Sequence, residues 1–586
     1  MRNPIQRAAI SLVLASSLAG CSAASKAPAP ESAADASGAY PQSYGQPQAY
    51  PQQPGYAMNG GAPMDDAAPA AEEAPASKST TVAGPVPAPS PVATTAPPPP
   101  PAVAAQPAKK PEVAIAPPEE PVGTEQYTDH GVNPFVDPKK DAVSTFAIDV
   151  DTGAYAIARS KLDAGTLPPF AAVRAEEFLN YFDYGYAGPQ DGRPFAVHLH
   201  AAPSPYQAGH HLLRVGVQAV RKSRDERAPV HLVYLVDTSG SMQAANKLGL
   251  AKKALAILTR ELKPTDTVAL CTYAGSTRIV LPPTAGSQQE TILSALDSLT
   301  SGGGTAMSSG MEMAYQLAER THVQGHVSRV IVLSDGDANI GAQSHDAILE
   351  RIGHFKKKGI TLSTVGFGNG NYKDTMMEQL ANQGDGNYTY IDSEKEARRA
   401  FGEQLGGMLE VVARDVKIQV EFDPSVVARY RLIGYENRDV ADRDFRNDAV
   451  DAGEIGAGHR VTALYDIVLE KAPAPGRSPI IVRLRHKPPT GSERATEMAV
   501  KMGPEAMSSS FAAAPKSFRF ATAVAGFAEI LRQSPHAKTW RLADVARIAD
   551  QARSGSSEQE ELVGLVRKAQ RLMPAPKTSG GAVMAK

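Results

Sequence analysis

Between His231 and Glu410 short apolar runs alternate with amphipathic stretches, and that alternation restricts the possible folds more than any other feature of the sequence. The runs HLVYLVD, TVALCTYAG, STRIVLPP, RVIVLSD, ITLSTVGFG and NYTYID have the length and β-branched content of strands. Several are apolar at consecutive positions, so both strand faces must be covered. Between them lie helical stretches such as NKLGLAKKALAILTREL, where Leu248, Ala251, Leu255, Leu258 and Leu262 form one apolar stripe. Strands alternating with helices predict an α/β unit: a central, mostly parallel open sheet with helices on both faces.

Such a sheet binds ligands beyond the carboxyl ends of its strands. HLVYLVDTSGSM places Asp237 at one such end, and Ser239 and Ser241 follow at alternate positions on a turn, able to aim two hydroxyls past the carboxylate. RVIVLSDGDAN places Asp335 at a second strand end, and LTSGGGTAMSSGM supplies Thr305 between a glycine run and a helix. These five residues offer only oxygen, which suits a hard ion such as Mg²⁺ or Mn²⁺; zinc would recruit nitrogen or sulfur. The glycine run lacks the G-x-x-x-x-G-K-[ST] pattern, so a nucleotide phosphate is not expected there. Asp337 reads as a loop-capping neighbour of Asp335, and Ser308 and Ser309 as residues that cap or line the next helix.

The rest of the chain divides by composition. MRNPIQRAAISLVLASSLAGCSAAS opens with two arginines and an apolar stretch too short to span a bilayer, and reads as a signal peptide over residues 1–20. Leu18-Ala19-Gly20-Cys21 looks like a bacterial lipobox, which implies lipidation of Cys21, and Ser22 after it resembles outer-membrane sorting. Residues 21–125 are dominated by Pro, Ala, Gln and Ser and read as a tether with a reach of roughly 50–60 Å. The formal net charge of -2 over 586 residues offers no electrostatic footprint for nucleic acid. Lys356 to Lys358, the one tight basic run in the middle, reads as the solvated end of a helix.

Residues 126–190 predict a strand and two helices, with Asp151-Thr152-Gly153 as a strand end and helix cap, and 191–227 predict two strands. His198 and His200 share one face of the first of these, but no acidic or cysteine neighbour accompanies them, so a metal site is not expected. Residues 411–490 read as β strands without helical crossovers, 491–578 as three helices, and 579–586 as a tail. The strands before and after the α/β unit, at 228–410, are expected to complete one sheet domain around it. Cys271, in TVALCTYAG, reads as a buried thiol.

The combination of Asp237-Thr238-Ser239-Gly240-Ser241, Thr305 and Ser334-Asp335-Gly336 resembles a von Willebrand factor type A domain with a metal-ion-dependent adhesion site. The resemblance implies that Ser239, Ser241 and Thr305 bind Mg²⁺ directly and that Asp237 and Asp335 do so directly or through water. DVDTGAYAIARSKLDAGTLPPFAAVRAEEFLNYFDY and YRLIGYENRDVADRDFRNDAVDAGEIGAGHRVTALYDI resemble the flanking regions of a bacterial family of such proteins. The expected function is lipid-anchored, Mg²⁺-dependent capture of an Asp or Glu side chain of an envelope or surface protein. A metal-stabilised scaffold is the alternative. A metal hydrolase is disfavoured because H-E-x-x-H and G-x-S-x-G are both missing.

Overall fold

The computed structural model describes residues 125–190, 192–337, 342–472, 477–490 and 494–573. Cys21, the signal peptide and nearly all of the expected tether lie outside the described residues.

The α/β unit is a six-stranded sheet in the order Thr277–Ala285, Thr267–Tyr273, Val230–Asp237, Val327–Ser334, Ile360–Gly366, Tyr388–Tyr390. All neighbours are parallel except the first pair, where Thr277–Ala285 runs antiparallel along the edge. Every residue of Val230–Asp237 is buried, as the unbroken apolar run requires. Leu232, Tyr234 and Val236 face one helical layer, which includes Ala251, Leu255 and Leu258, while Val233 and Leu235 face the other, which includes Met311, Ala314 and Ile352. Cys271 lies in that second layer, a free thiol that burial pushes up to about 12.

The α/β unit is inserted into a frame. Strand His210–Ala219, before it, pairs antiparallel with Arg460–Leu469, after it, within the four-stranded sheet Val427–Ile433, Arg460–Leu469, His210–Ala219, Phe195–Pro203. A five-stranded sheet runs Val143–Ala147, Val411–Phe422, Ile480–Lys487, Thr496–Lys501, with Gly453–Gly456 also on Val411–Phe422. The two sheets share one core, in which Phe146, Ile418 and Leu484 meet Leu213, Val217 and Tyr465. Residues of opposite pleat on the four-stranded sheet, Leu212, Ile433 and Leu464, meet a helical layer instead. That layer joins the early helices Gly153–Asp163 and Ala175–Tyr181 to the late ones Lys516–Leu531, Leu542–Ala552 and Ser557–Leu572. No helix among the described residues is long and apolar enough to cross a membrane.

Buried arginines tie the inserted unit to the frame. Arg159 forks onto Asp392 at 2.6 and 2.7 Å and reaches Glu396 at 2.7 Å, and Arg174 meets Asp374 at 2.5 Å while also pairing with Glu177. Planar, bidentate guanidinium geometry suits such carboxylate pairs.

Three local expectations change. Residues 491–578 are not helical throughout: Thr496–Lys501 is a strand that pairs antiparallel with Ile480–Lys487 and extends the five-stranded sheet. Asp151 caps no helix: its carboxylate accepts from the Tyr388 backbone N–H at 2.8 Å and from Arg438 at 3.2 Å, and Thr152, at the helix start, makes no capping bond. Of the run Lys356 to Lys358, the last two are exposed beyond the helix end as expected, but the Lys356 ammonium sits between Asp385 and Asp451, 2.5 Å from each. Of the two roles expected of Ser308 and Ser309, they line the helix rather than cap it: they are exposed in the first turn of helix Met307–Thr321, and Ala306 holds the cap position. His198 and His200 bond separately, to the Ala187 carbonyl at 2.9 Å and the Ser508 hydroxyl at 3.0 Å.

Candidate metal centre

Strand Val230–Asp237 is the point where the sheet's winding reverses. The chain leaves it for Thr267–Tyr273 on one side and later adds Val327–Ser334 on the other. Loops depart in opposite directions from such a point and leave a crevice at the carboxyl ends of the strands. Asp237 and Asp335 stand there, both fully buried.

The first loop folds back on its own carboxylate. The Ser239 N–H donates to Asp237 Oδ1 at 2.8 Å, and the Ser334 hydroxyl donates to Oδ2 at 2.8 Å. Ser239 Oγ and Ser241 Oγ lie 3.0 Å apart. Thr238 is pinned by its N–H to the Tyr273 carbonyl at 2.9 Å, and a 3₁₀ turn over Gly240–Gln243 then leads towards the helix. Burial, reinforced by the nearby Asp335 charge, raises the Asp237 carboxyl above its ordinary range against hydrogen bonds from Ser239 and Ser334 that lower it.

The glycine run is stitched beside this loop. Gly302 N–H donates to the Thr238 carbonyl at 2.8 Å, Gly240 N–H to the Gly303 carbonyl at 3.1 Å, and Ala306 N–H to the Ala274 carbonyl at 2.8 Å. Gly303 has φ 87°, and a Cβ there would also press within 3.2 Å of the Gly275 nitrogen, so a side chain would push the glycine run away from the turn at 274–276. These bonds bring Thr305, half-buried just beyond the run, into the same loop cluster as Asp237, Ser239 and Ser241.

Asp335 has different company. Its Oδ2 accepts from Lys247 Nζ at 2.9 Å and from Asn371 Nδ2 at 3.1 Å, and its Oδ1 accepts from the Asp337 N–H at 3.1 Å. Asn371 also donates to Asp337 at 3.0 Å and accepts from Lys247 at 2.7 Å. Lys247 and Asn371 are the members of this arrangement that the sequence did not single out, and Ser334 was named only as the neighbour of Asp335, with no role of its own. Its role was open to notice, one residue before Asp335 at the end of a strand. Lys247 sits inside an otherwise ordinary helical pattern, and Asn371 lies in a loop with no motif.

The donor set fits a hard divalent cation. Asp237 is a buried carboxylate with only neutral hydrogen-bond partners, and the groups beside it are hydroxyls. Among the described residues no three His, Cys, Asp or Glu side chains gather as a metal cage, so a site here depends on those hydroxyls.

The sequence profile of the von Willebrand factor type A domain matches residues 231–403, which hold all five of these candidates. A von Willebrand factor profile matches 121–214, and the profile of the C-terminal region of the uncharacterized protein YfbK matches 407–572. The uncharacterized protein YfbK of Escherichia coli is 37% identical over 454 residues, covering 74% of this chain and 78% of that protein. The magnesium-chelatase 60 kDa subunit of Rhodobacter capsulatus is 37% identical over 120 residues, only 20% of this chain and 21% of that one. A solved von Willebrand factor type A structure from Catenulispora acidiphila is 16% identical and covers 66% of this chain and 91% of its own, with a TM-score of 0.39. Profiles over both flanks and the inserted domain, together with a relative aligned along most of its length, make this chain a member of the bacterial YfbK family with a von Willebrand factor type A domain at its centre.

Proposed function

We propose that this protein is a membrane-tethered module that captures an acidic side chain of an envelope protein through a divalent ion, Mg²⁺ or Mn²⁺, at the crevice formed by Asp237, Ser239, Ser241 and Thr305. The observation that carries the reading is the loop pair at the switch point, which sets one buried carboxylate beside two hydroxyls 3.0 Å apart. A bound ion there supplies Lewis acidity towards an external oxygen. The chain's own residues determine how much of that acidity survives. Hydroxyls solvate a cation without neutralising it, whereas a second carboxylate beside Asp237 would cancel its charge. Asp237 carries the anionic part, and Ser239 N–H and Ser334 Oγ keep it oriented without adding charge.

The loops are joined by backbone bonds among Thr238, Gly240, Gly302 and Gly303 that need no ion. That favours ion-dependent binding over an ion that merely holds the loops. The anchoring part of the proposal rests on the lipobox-like Leu18-Ala19-Gly20-Cys21 and the proline-rich composition after it.

The test is capture from envelope extract by the full-length chain in detergent, wild type and Asp237→Ala, each with Mg²⁺ and with chelator. A partner held only by the wild type in Mg²⁺, and lost when its own contacting Asp or Glu is replaced by Asn or Gln, is the expected result. Equal capture in all four conditions, with both proteins folded, would sink the proposal.

A further inference from the structure

Among the described residues Lys247 is one of three buried lysines, with Lys417 and Lys487, and several features of the fold surround it. Its side chain is 8% exposed although it follows the exposed residues Gln243 to Asn246. Residues Ala245–Gly249 form a single π-helical turn ahead of helix Leu250–Arg260. Such a turn inserts a residue into the helical register and redirects the side chains around it. The lysine stem then passes over Gly368, where a Cβ would fall 2.3 Å from the Lys247 Cε. Gly368 has φ 78°, so both its conformation and the passage of the stem exclude other residues. The ammonium ends on Asp335 at 2.9 Å and Asn371 at 2.7 Å.

We infer that Lys247 is a resident cation of the ion site, holding Asp335 as its own partner and thereby setting the affinity for the divalent ion. This rests on the proposed reading of the crevice as an ion site. The two carboxylates are treated unequally: Asp237 meets neutral donors, Asp335 a full positive charge. The lysine therefore acts against a bound cation in two ways, by repulsion and by occupying the carboxylate that would neutralise it. The same charge acts in favour of the ligand. An incoming carboxylate meets an ion little neutralised by its protein ligands, because the Asp335 charge is spent on Lys247. Lys247 is a positioning and charge-setting residue: its ammonium reaches Asp335 and Asn371.

The test is calorimetric titration of Mg²⁺ into the full-length chain in detergent. Lys247→Met is expected to bind Mg²⁺ at least about tenfold more tightly than the wild type, since it removes one nearby like charge and frees Asp335. Lys247→Arg, which keeps the charge, should stay within about threefold of the wild type. Adding Asp335→Asn to Lys247→Met should remove most of the gain, because the freed carboxylate is its source. Urea unfolding provides the second readout: without metal, Lys247→Met should be less stable than the wild type, and Mg²⁺ should restore more of its stability. Equal or weaker Mg²⁺ binding by folded Lys247→Met, or no Mg²⁺ binding by any variant, would overturn the inference. Chelator-resistant partner capture would instead remove the acidic-ligand reading and leave this difference in affinity standing.

Discussion

Asp151-Thr152-Gly153 and Asp237-Thr238-Ser239 are near-copies in sequence: each follows an apolar stretch, and each precedes a helix or helical turn. They have opposite fates. Asp149 and Asp151 lie against Arg438, each 3.2 Å from it, in the seam between the frame and the inserted unit. Asp237 stands buried at the carboxyl end of a central strand among hydroxyls and a backbone N–H. A carboxylate already matched by a guanidinium has little left to offer an ion, whereas one held by neutral donors keeps its charge unspent. The difference between a structural aspartate and a candidate ion ligand therefore lies in the partner, not in the tripeptide.

The largest effect is expected in the seam. Arg438→Met leaves Asp149 buried without its cation, beside an Asp151 whose carboxyl burial and Asp149 already push well above the ordinary range, and should cost about 3–5 kcal/mol in urea unfolding, with no sensitivity to Mg²⁺. A loss below about 1 kcal/mol, or one repaired by Mg²⁺, would erase the contrast between the two aspartates.

Acid should attack the seam next. Burial alone would raise the Glu396 carboxyl, but Arg399 and Arg159 outweigh it and hold it down at about 2. A depressed carboxyl stabilises the fold above its unfolded value of about 4.5, and this contribution fades as pH falls from there towards 2. The loss is on the order of 3 kcal/mol. Glu396→Gln should lack this part of the acid dependence, which parallel urea melts at pH 6 and about pH 3 would reveal.

At the crevice the response should be to metal. With Mg²⁺ at a hundred times its dissociation constant the wild type should gain about 2.7 kcal/mol, and Asp237→Asn should gain almost none. Thermal melts with and without Mg²⁺ decide this, and an unchanged gain would move the ion elsewhere. Thr305→Val should have the smallest effect, a weakening of Mg²⁺ binding worth about 1 kcal/mol, the scale of one hydroxyl contact. A complete loss of binding in calorimetry would instead make Thr305 as central as Asp237.

Much of the architecture was legible because its signals are local. Consecutive apolar residues in HLVYLVD announce a strand covered on both faces, and the Leu248-to-Leu262 stripe announces a helix with one buried side. The strands on either side of the inserted unit were expected to join, and His210–Ala219 does pair with Arg460–Leu469. The packing of the early helices on the late ones was not foreseen, since aromatic side chains such as Tyr155 and Phe178 do not name their partners. At the crevice, the Ser239 and Ser241 hydroxyls adjoin as the spacing suggested, and backbone bonds bring the loop carrying Thr305 alongside. Lys247 was hidden because its burial depends on Gly368, more than a hundred residues later in the chain.

The sequence by itself determined the alternation of strands and helices in the inserted unit, the placement of Asp237 and Asp335 at strand ends and the oxygen-only character of the candidate site. Those follow from periodicity and residue type, which act within a turn or a strand. Only the tertiary structure decided which aspartates are matched by a charged partner. Asp151 and Arg438 are 287 positions apart, and Lys247 and Asp335 are 88 apart. Electrostatic pairing depends on distance in space and on burial, and neither can be read from separation along the chain.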